Sequence, residues 1–160
     1  MQPNLIIVTG ASSGIGAEIA RQFSALGHPL LLLARRSERL ASLGLPNTLC
    51  RTVDVTDSAA MMAAVTEAEA QFGPADLLVN NAGVGELGLL STWTDEDMFN
   101  IFNINVFGPH RMTNAFLQLL TESKGRIVNI GSQGGMLASK YYGPYIMTKH
   151  ALEAYTAILH

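Results

Sequence analysis

Five short runs rich in branched apolar residues alternate along the chain with longer stretches of helical pattern. They span Asn4 to Thr9, Pro29 to Ala34, Leu49 to Val53, Leu77 to Asn80 and Arg126 to Ile130. No other feature narrows the fold as far. A continuous apolar run suits a strand covered on both faces, and strands separated by helix-length crossovers pair in parallel. The expected architecture is therefore an α/β fold, a doubly wound parallel sheet with helices on both faces.

The helices fill the gaps. One covers Gly14 to Leu26 and stops at Gly27, a residue suited to a helix end. A second follows Thr56 and puts Met61, Val65, Ala68 and Phe72 on one face before Gly73 and Pro74 end it. A third starts at Thr94, whose hydroxyl can cap it, with Asp95, Glu96 and Asp97 where the helix dipole favours negative charge; it is expected to reach about Leu120. The last opens at Pro144 and is expected to be still running at His160.

The totals remove several function classes. A chain of 160 residues with 48% apolar content has the size of one domain with its own core. The formal charge of −3, with no basic cluster beyond Arg35, Arg36 and Arg39, argues against nucleic acid or an anionic membrane as partner. Cys50 stands alone, so no internal disulfide or cysteine-built metal site is expected, and a reducing compartment is the natural setting. No apolar stretch is long enough to cross a bilayer, and the N-terminus has no basic leader; a cytoplasmic protein is expected.

The segment "TGASSGIG" leaves the first strand and opens the first helix. Gly10, Gly14 and Gly16 permit a tight turn and close packing, so amides around Ser12, Ser13 and Ile15 can face a phosphate. A rival reading exists, because Gly10, Ser12 and Gly14 also satisfy G-x-S-x-G, the nucleophile elbow of serine hydrolases. That elbow needs an oxyanion amide from a loop after an earlier strand, and only one strand precedes Ser12. After the second strand, where many dinucleotide-binding folds carry a carboxylate for the ribose diol, the chain has Ala34 followed by Arg35 and Arg36. Cations just ahead of a helix start gain when an anion binds there, which favours a 2′-phosphate and hence NADP over NAD.

Of the three tyrosines in "YYGPYIMTKH", only Tyr145 has a lysine four residues on, Lys149, and so shares a helix face with it. An ammonium about 5 Å from a phenolic oxygen favours its ionised form by on the order of 3 kcal/mol at an effective dielectric of about 20. Ser132 follows the last strand, at the carboxyl end of the sheet where such folds bind ligands. Asn80, Asn81, Ala82 and Gly83 end the fourth strand at the same edge. Pro109 has no amide for the carbonyl of Asn105, four residues earlier, which leaves that carbonyl free for a water.

Together these motifs resemble the short-chain dehydrogenase/reductase family along the whole chain. The resemblance makes Asn105, Ser132, Tyr145 and Lys149 a catalytic tetrad. Thr9 to Gly16 becomes the cofactor loop, Asp54 and Val55 an adenine-side pair, and Asn81, Ala82 and Gly83 part of the cofactor edge. It implies hydride transfer between NADP(H) and a carbonyl or alcohol. Tyr145 would be the acid or base, Ser132 the hydrogen-bond donor to the substrate oxygen, and Lys149 the partner of both tyrosine and nicotinamide ribose. The family pattern also implies one Rossmann-type domain over residues 1–160 that lacks a last strand and a substrate-covering segment, and a homodimer or homotetramer built through the two long helices. Gln133, Met136, Tyr141 and Tyr142 would be pocket walls. A reading from another class, a non-catalytic NADP-binding or interaction protein on this fold, stays open beside it.

Overall fold

The structure is a computed structural model, and residues 4–159 are described. Five parallel strands form one sheet: β1 (Leu5–Thr9), β2 (Leu30–Ala34), β3 (Thr48–Thr52), β4 (Ala75–Asn80) and β5 (Arg126–Asn129), in the order β3-β2-β1-β4-β5. The order reverses between β1 and β4, the switch point at which open α/β sheets leave a crevice beyond the strand ends.

Strands β1 and β2 are buried on both faces, which explains why β2 is apolar at every position and β1 at all but its last. Leu5, Ile7, Leu31 and Leu33 point to one core, Ile6, Val8, Leu30 and Leu32 to the other. The first core is closed by α3 (Ser58–Phe72) through Met61 and Val65 and by α5 (Phe107–Ser123) through Met112 and Phe116. The second is closed by Ala20, Ile19 and Phe23 of α1 (Gly14–Ala25) and by Leu40 of α2 (Ser37–Ala41).

The single helix expected from Thr94 to about Leu120 is two. Helix α4 (Asp95–Asn105) starts with a capping box, Asp97 N–H donating to Thr94 Oγ1 at 3.2 Å and Thr94 N–H to Asp97 Oδ2 at 3.0 Å. It ends at Val106, whose φ of −117° and ψ of −58° depart from ideal helix, before α5 resumes. The cause is Pro109, which lacks an amide for the Asn105 carbonyl and whose ring crowds it. Helix α2 has only five residues, too few to carry much of a dipole, so the case for Arg35 and Arg36 rests on where they lie and not on that helix end. Helix α6 (Gly143–Ile158) begins one residue before Pro144; His160 is outside the described residues. Among the described residues no helix is long and apolar enough to cross a membrane.

Candidate active site

The glycine loop is held to the end of β4 by a lattice of short bonds. Thr9 Oγ1 accepts from the amides of Asn81 and Ala82 at 3.0 and 2.9 Å, and Asn81 Nδ2 donates to the carbonyls of Thr9 and Gly10 at 3.0 and 3.3 Å. Gly10 sits at φ +64°, and a Cβ there would lie 2.9 Å from Ala82 Cα; one on Gly16 would lie 2.5 Å from Asn81 Nδ2. Gly14 adopts φ +55° with nothing within 4 Å of its Cβ position, so its backbone is bare on the open side.

That open side is a cavity of about 460 Å³, lined by Gly10, Ser12, Ser13, Gly14 and Ile15, by Ala34, Arg35 and Arg36, by Asp54 and Val55, and by Asn81, Ala82 and Gly83. Of the expected cofactor loop, Thr9, Ala11 and Gly16 do not line it; Gly16 packs behind, against Asn81. Arg36 Nε and Nη2 donate to Ser12 Oγ at 3.2 and 3.0 Å, and Nη2 reaches Ser13 Oγ at 2.7 Å. Arg35 lies 3.9 Å from Asp54. Burial works to raise the Asp54 pKa, but hydrogen bonds from the Thr56 amide and hydroxyl at 2.9 and 2.8 Å, helped by Arg35, hold it below the ordinary aspartate value.

These contacts also bear on the hydrolase reading. A guanidinium is donor-only and cannot take a proton from Ser12. His28, His110 and His150 bond to Asn4 O, Asn114 Nδ2 and Ile146 O instead. Ser12 therefore has no base among the described residues.

A second cavity, of about 480 Å³, adjoins the first and shares Ile15, Asn81, Gly83 and Val84 with it. Ser132, Tyr145 and Lys149 line it together, with Tyr142; Gln133, Met136 and Tyr141 lie outside its lining. The Tyr145 ring runs between two glycines. The Cβ position of Gly85 is 3.0 Å from Tyr145 Cδ2, and that of Gly134 is 3.7 Å from Tyr145 Cε1 and 3.4 Å from Ser132 Oγ. Serine and tyrosine therefore flank one small space. Ser132 Oγ accepts from Gly134 N–H at 3.1 Å, which turns the hydroxyl proton free for another acceptor. Lys149 is buried, its Nζ 5.8 Å from the Tyr145 ring centre and donating to Ile130 O at 2.6 Å. Burial lowers the lysine pKa from its ordinary value, while the Glu153 carboxylate one turn on opposes that shift.

Asn105 enters from below. Its Oδ1 accepts from Val84 N–H at 2.8 Å, and its Nδ2 donates to Val84 O at 2.7 Å and to Thr148 Oγ1 at 3.0 Å. Thr148 in turn donates to Tyr145 O at 2.7 Å. The side chain is thus fully used in structure, and only the Asn105 carbonyl, at the helix break, remains for a water. Thr148 was not among the expected site residues; its one sequence signal, a threonine one position before the lysine, says nothing about a partner 43 residues away. Asn129 was missed likewise, and it links Asn80 Nδ2 to Thr156 Oγ1 at 2.9 Å each.

A bare glycine loop at the carboxyl edge of a 3-2-1-4-5 parallel sheet defines the Rossmann-like class of α/β proteins. Within that class, short chain dehydrogenase is the family matched over residues 4–160, and the chain belongs to this family of oxidoreductases. The 3-ketodihydrosphingosine reductase of Bacteroides thetaiotaomicron is 37% identical over 161 residues, which cover 99% of this chain and 58% of that protein. The actinorhodin polyketide ketoreductase, in a variant crystallised with NADPH, superposes with a TM-score of 0.91 at 34% identity, over 98% of this chain and 64% of the other. A short chain dehydrogenase/reductase from Burkholderia phymatum in complex with NAD gives 0.93 at 30% identity, over 99% and 59%. The chain spans less than two thirds of the length of each of these proteins.

Proposed function

We propose that this chain carries the hydride-transfer site of an NADP(H)-dependent carbonyl reductase or alcohol dehydrogenase. The observation that carries the reading is the convergence of Ser132, Tyr145 and Lys149 on one cavity that opens into the glycine-loop crevice. The crevice suits a dinucleotide: Gly14 is bare toward it, and Gly10 and Gly16 have no room for a side chain. Gly10, Ser12, Ser13, Gly14 and Ile15 would hold the pyrophosphate, with Asp54, Val55, Asn81, Ala82 and Gly83 along the adenosine and ribose path. Arg36, with the hydroxyls of Ser12 and Ser13, and Arg35 beside Asp54 offer donors to a 2′-phosphate, which supports NADP over NAD.

The bound nicotinamide supplies or accepts the hydride. Tyr145 gives a proton to the carbonyl oxygen in reduction and removes one from the alcohol in oxidation. Ser132 donates to the same oxygen and stabilises charge developing on it. Lys149, its Nζ 5.8 Å from the Tyr145 ring centre, faces the tyrosine across the cavity, and its remaining protons are available to the ribose. The Asn105 carbonyl holds a water that refills the proton path from solvent. Phe99, Phe107, Leu117 and Met147, apolar yet exposed on α4, α5 and α6, support a homo-oligomer built through these helices.

The test is NADPH oxidation with a panel of ketones and aldehydes, alongside fluorescence titration of NADPH. Replacing Tyr145 by Phe should lower turnover by about two to four orders of magnitude while leaving NADPH affinity in place. Retained turnover in that variant would remove Tyr145 from its role. NADPH binding with no turnover on any carbonyl would favour the non-catalytic binding protein.

A further inference from the structure

Glu86 is the one carboxylate lining the cavity of Ser132, Tyr145 and Lys149. It forms no ion pair among the described residues. Its side chain is exposed, and the loop that carries it is tethered two residues away on either side. Val84 is bonded through both its N–H and its C=O to Asn105, and Gly88 N–H donates to Tyr141 O at 2.8 Å. Gly85, the residue before it, lies against the Tyr145 ring. The only cation of the lining, Lys149, is buried and already donates to Ile130 O. Beside Glu86 the walls are apolar and open, Leu87 and Tyr142 being 63% and 45% exposed.

An unpaired carboxylate lining the cavity that holds Ser132 and Tyr145 has two electrostatic effects. It repels substrates that bear a carboxylate or phosphate near the carbonyl, and it opposes the negative charge that grows on the oxygen during reduction. A positive group on the substrate, a few bonds from the carbonyl, removes both penalties and pairs with Glu86 at the exposed wall of the cavity. The apolar walls call for a hydrocarbon body.

We propose, building on the reductase reading above, that Glu86 selects apolar amino ketones and the matching amino alcohols, with the ammonium close to the reacting carbon. The ammonium takes no part in bond making. The carbonyl carbon gains a hydride from NADPH and its oxygen a proton from Tyr145, giving the amino alcohol and NADP⁺; the reverse reaction returns both.

The amino alcohols are stable, so the experiment runs in the oxidative direction. It compares kcat/KM with NADP⁺ for a medium-chain 1-amino-2-alkanol, the 2-alkanol and the 3-hydroxy acid of the same chain length, and measures calorimetric binding of each to the NADP⁺-loaded protein. The amino alcohol should be preferred at least tenfold over the plain alcohol in both measurements, with the hydroxy acid poorest. In Glu86→Gln that ratio should fall at least tenfold, and Glu86→Lys should turn the preference toward the hydroxy acid. A ratio near one, or a ratio that Glu86→Gln does not move, overturns the amine assignment and leaves the reductase reading standing. If none of the three is oxidised, the calorimetric ratio with its response to Glu86→Gln still decides the inference, and the ketone and aldehyde panel decides the reductase reading.

Discussion

Lys149 Nζ donates to the main-chain carbonyl of Ile130 at 2.6 Å, so the side chain that faces Tyr145 also stitches α6 to the end of β5. Burial lowers its pKa from the ordinary 10.5, so the native state binds this proton less tightly than the unfolded chain does. The sign follows: the charged lysine costs stability below its folded pKa, and that cost is relieved as pH rises toward 10.5. Urea unfolding from neutral pH upward should show this rise, and Lys149→Met should flatten it. An unchanged slope in the variant would assign the pH dependence to another group.

Arg35 and Arg36 line the first cavity, one beside Asp54 and the other on Ser12 and Ser13. Replacing both by Ala should weaken NADPH at least tenfold more than NADH, since charged hydrogen bonds to a phosphate contribute about 1.5 to 3 kcal/mol each. Equal losses for the two dinucleotides in fluorescence titrations would show that neither arginine reads the 2′-phosphate.

Gly131 and Gly135 bracket Ser132, and Glu153 of α6 packs against both. A Cβ on Gly131 meets only the carboxylate end of Glu153, which can swing aside. One on Gly135 meets Glu153 Cγ at 2.8 Å and the Lys149 carbonyl at 3.2 Å, which cannot move as freely. Gly135→Ala should therefore cost about 1 to 3 kcal/mol of stability, as overpacking does, and Gly131→Ala clearly less. Equal midpoints in chemical denaturation would contradict the packing described.

Thr148 is buried completely, accepting from Asn105 and donating to Tyr145 O. Thr148→Val keeps the shape and leaves an Asn105 donor unsatisfied, a loss of about 1 to 3 kcal/mol. Thr148→Ser keeps the hydroxyl and should lose less, by the same denaturation measurement; a serine variant as weak as the valine one would point to lost methyl packing instead.

The strands were legible because burial on both faces makes Leu30 to Leu33 apolar throughout, a pattern no solvent-facing strand would show. The closeness of Tyr145 and Lys149 was legible because residues four apart share a helix face. The break between α4 and α5 was not. The effect of Pro109 on one carbonyl can be read from the sequence, but apolar residues continue across Val106 and mask the change of direction. Helix α2 is too short to show a period. Thr148, Asn129 and Glu86 owe their roles to partners or walls supplied by other elements, and residue type alone carries no trace of those.

The Asn105 amide spends both its ends on Val84 and its last proton on Thr148. An aspartate there could not reproduce this, for it would lack the donors. The bond to Val84 therefore draws a seam across the molecule. On one side α6 is held through Thr148 to α4 and to the loop that follows β4; on the other, from Glu86 outward, the chain lies beyond the reach of these Asn105 bonds. Substitutions at that rim would leave the Asn105–Thr148 link, and with it the register of Tyr145 and Lys149 on α6, untouched.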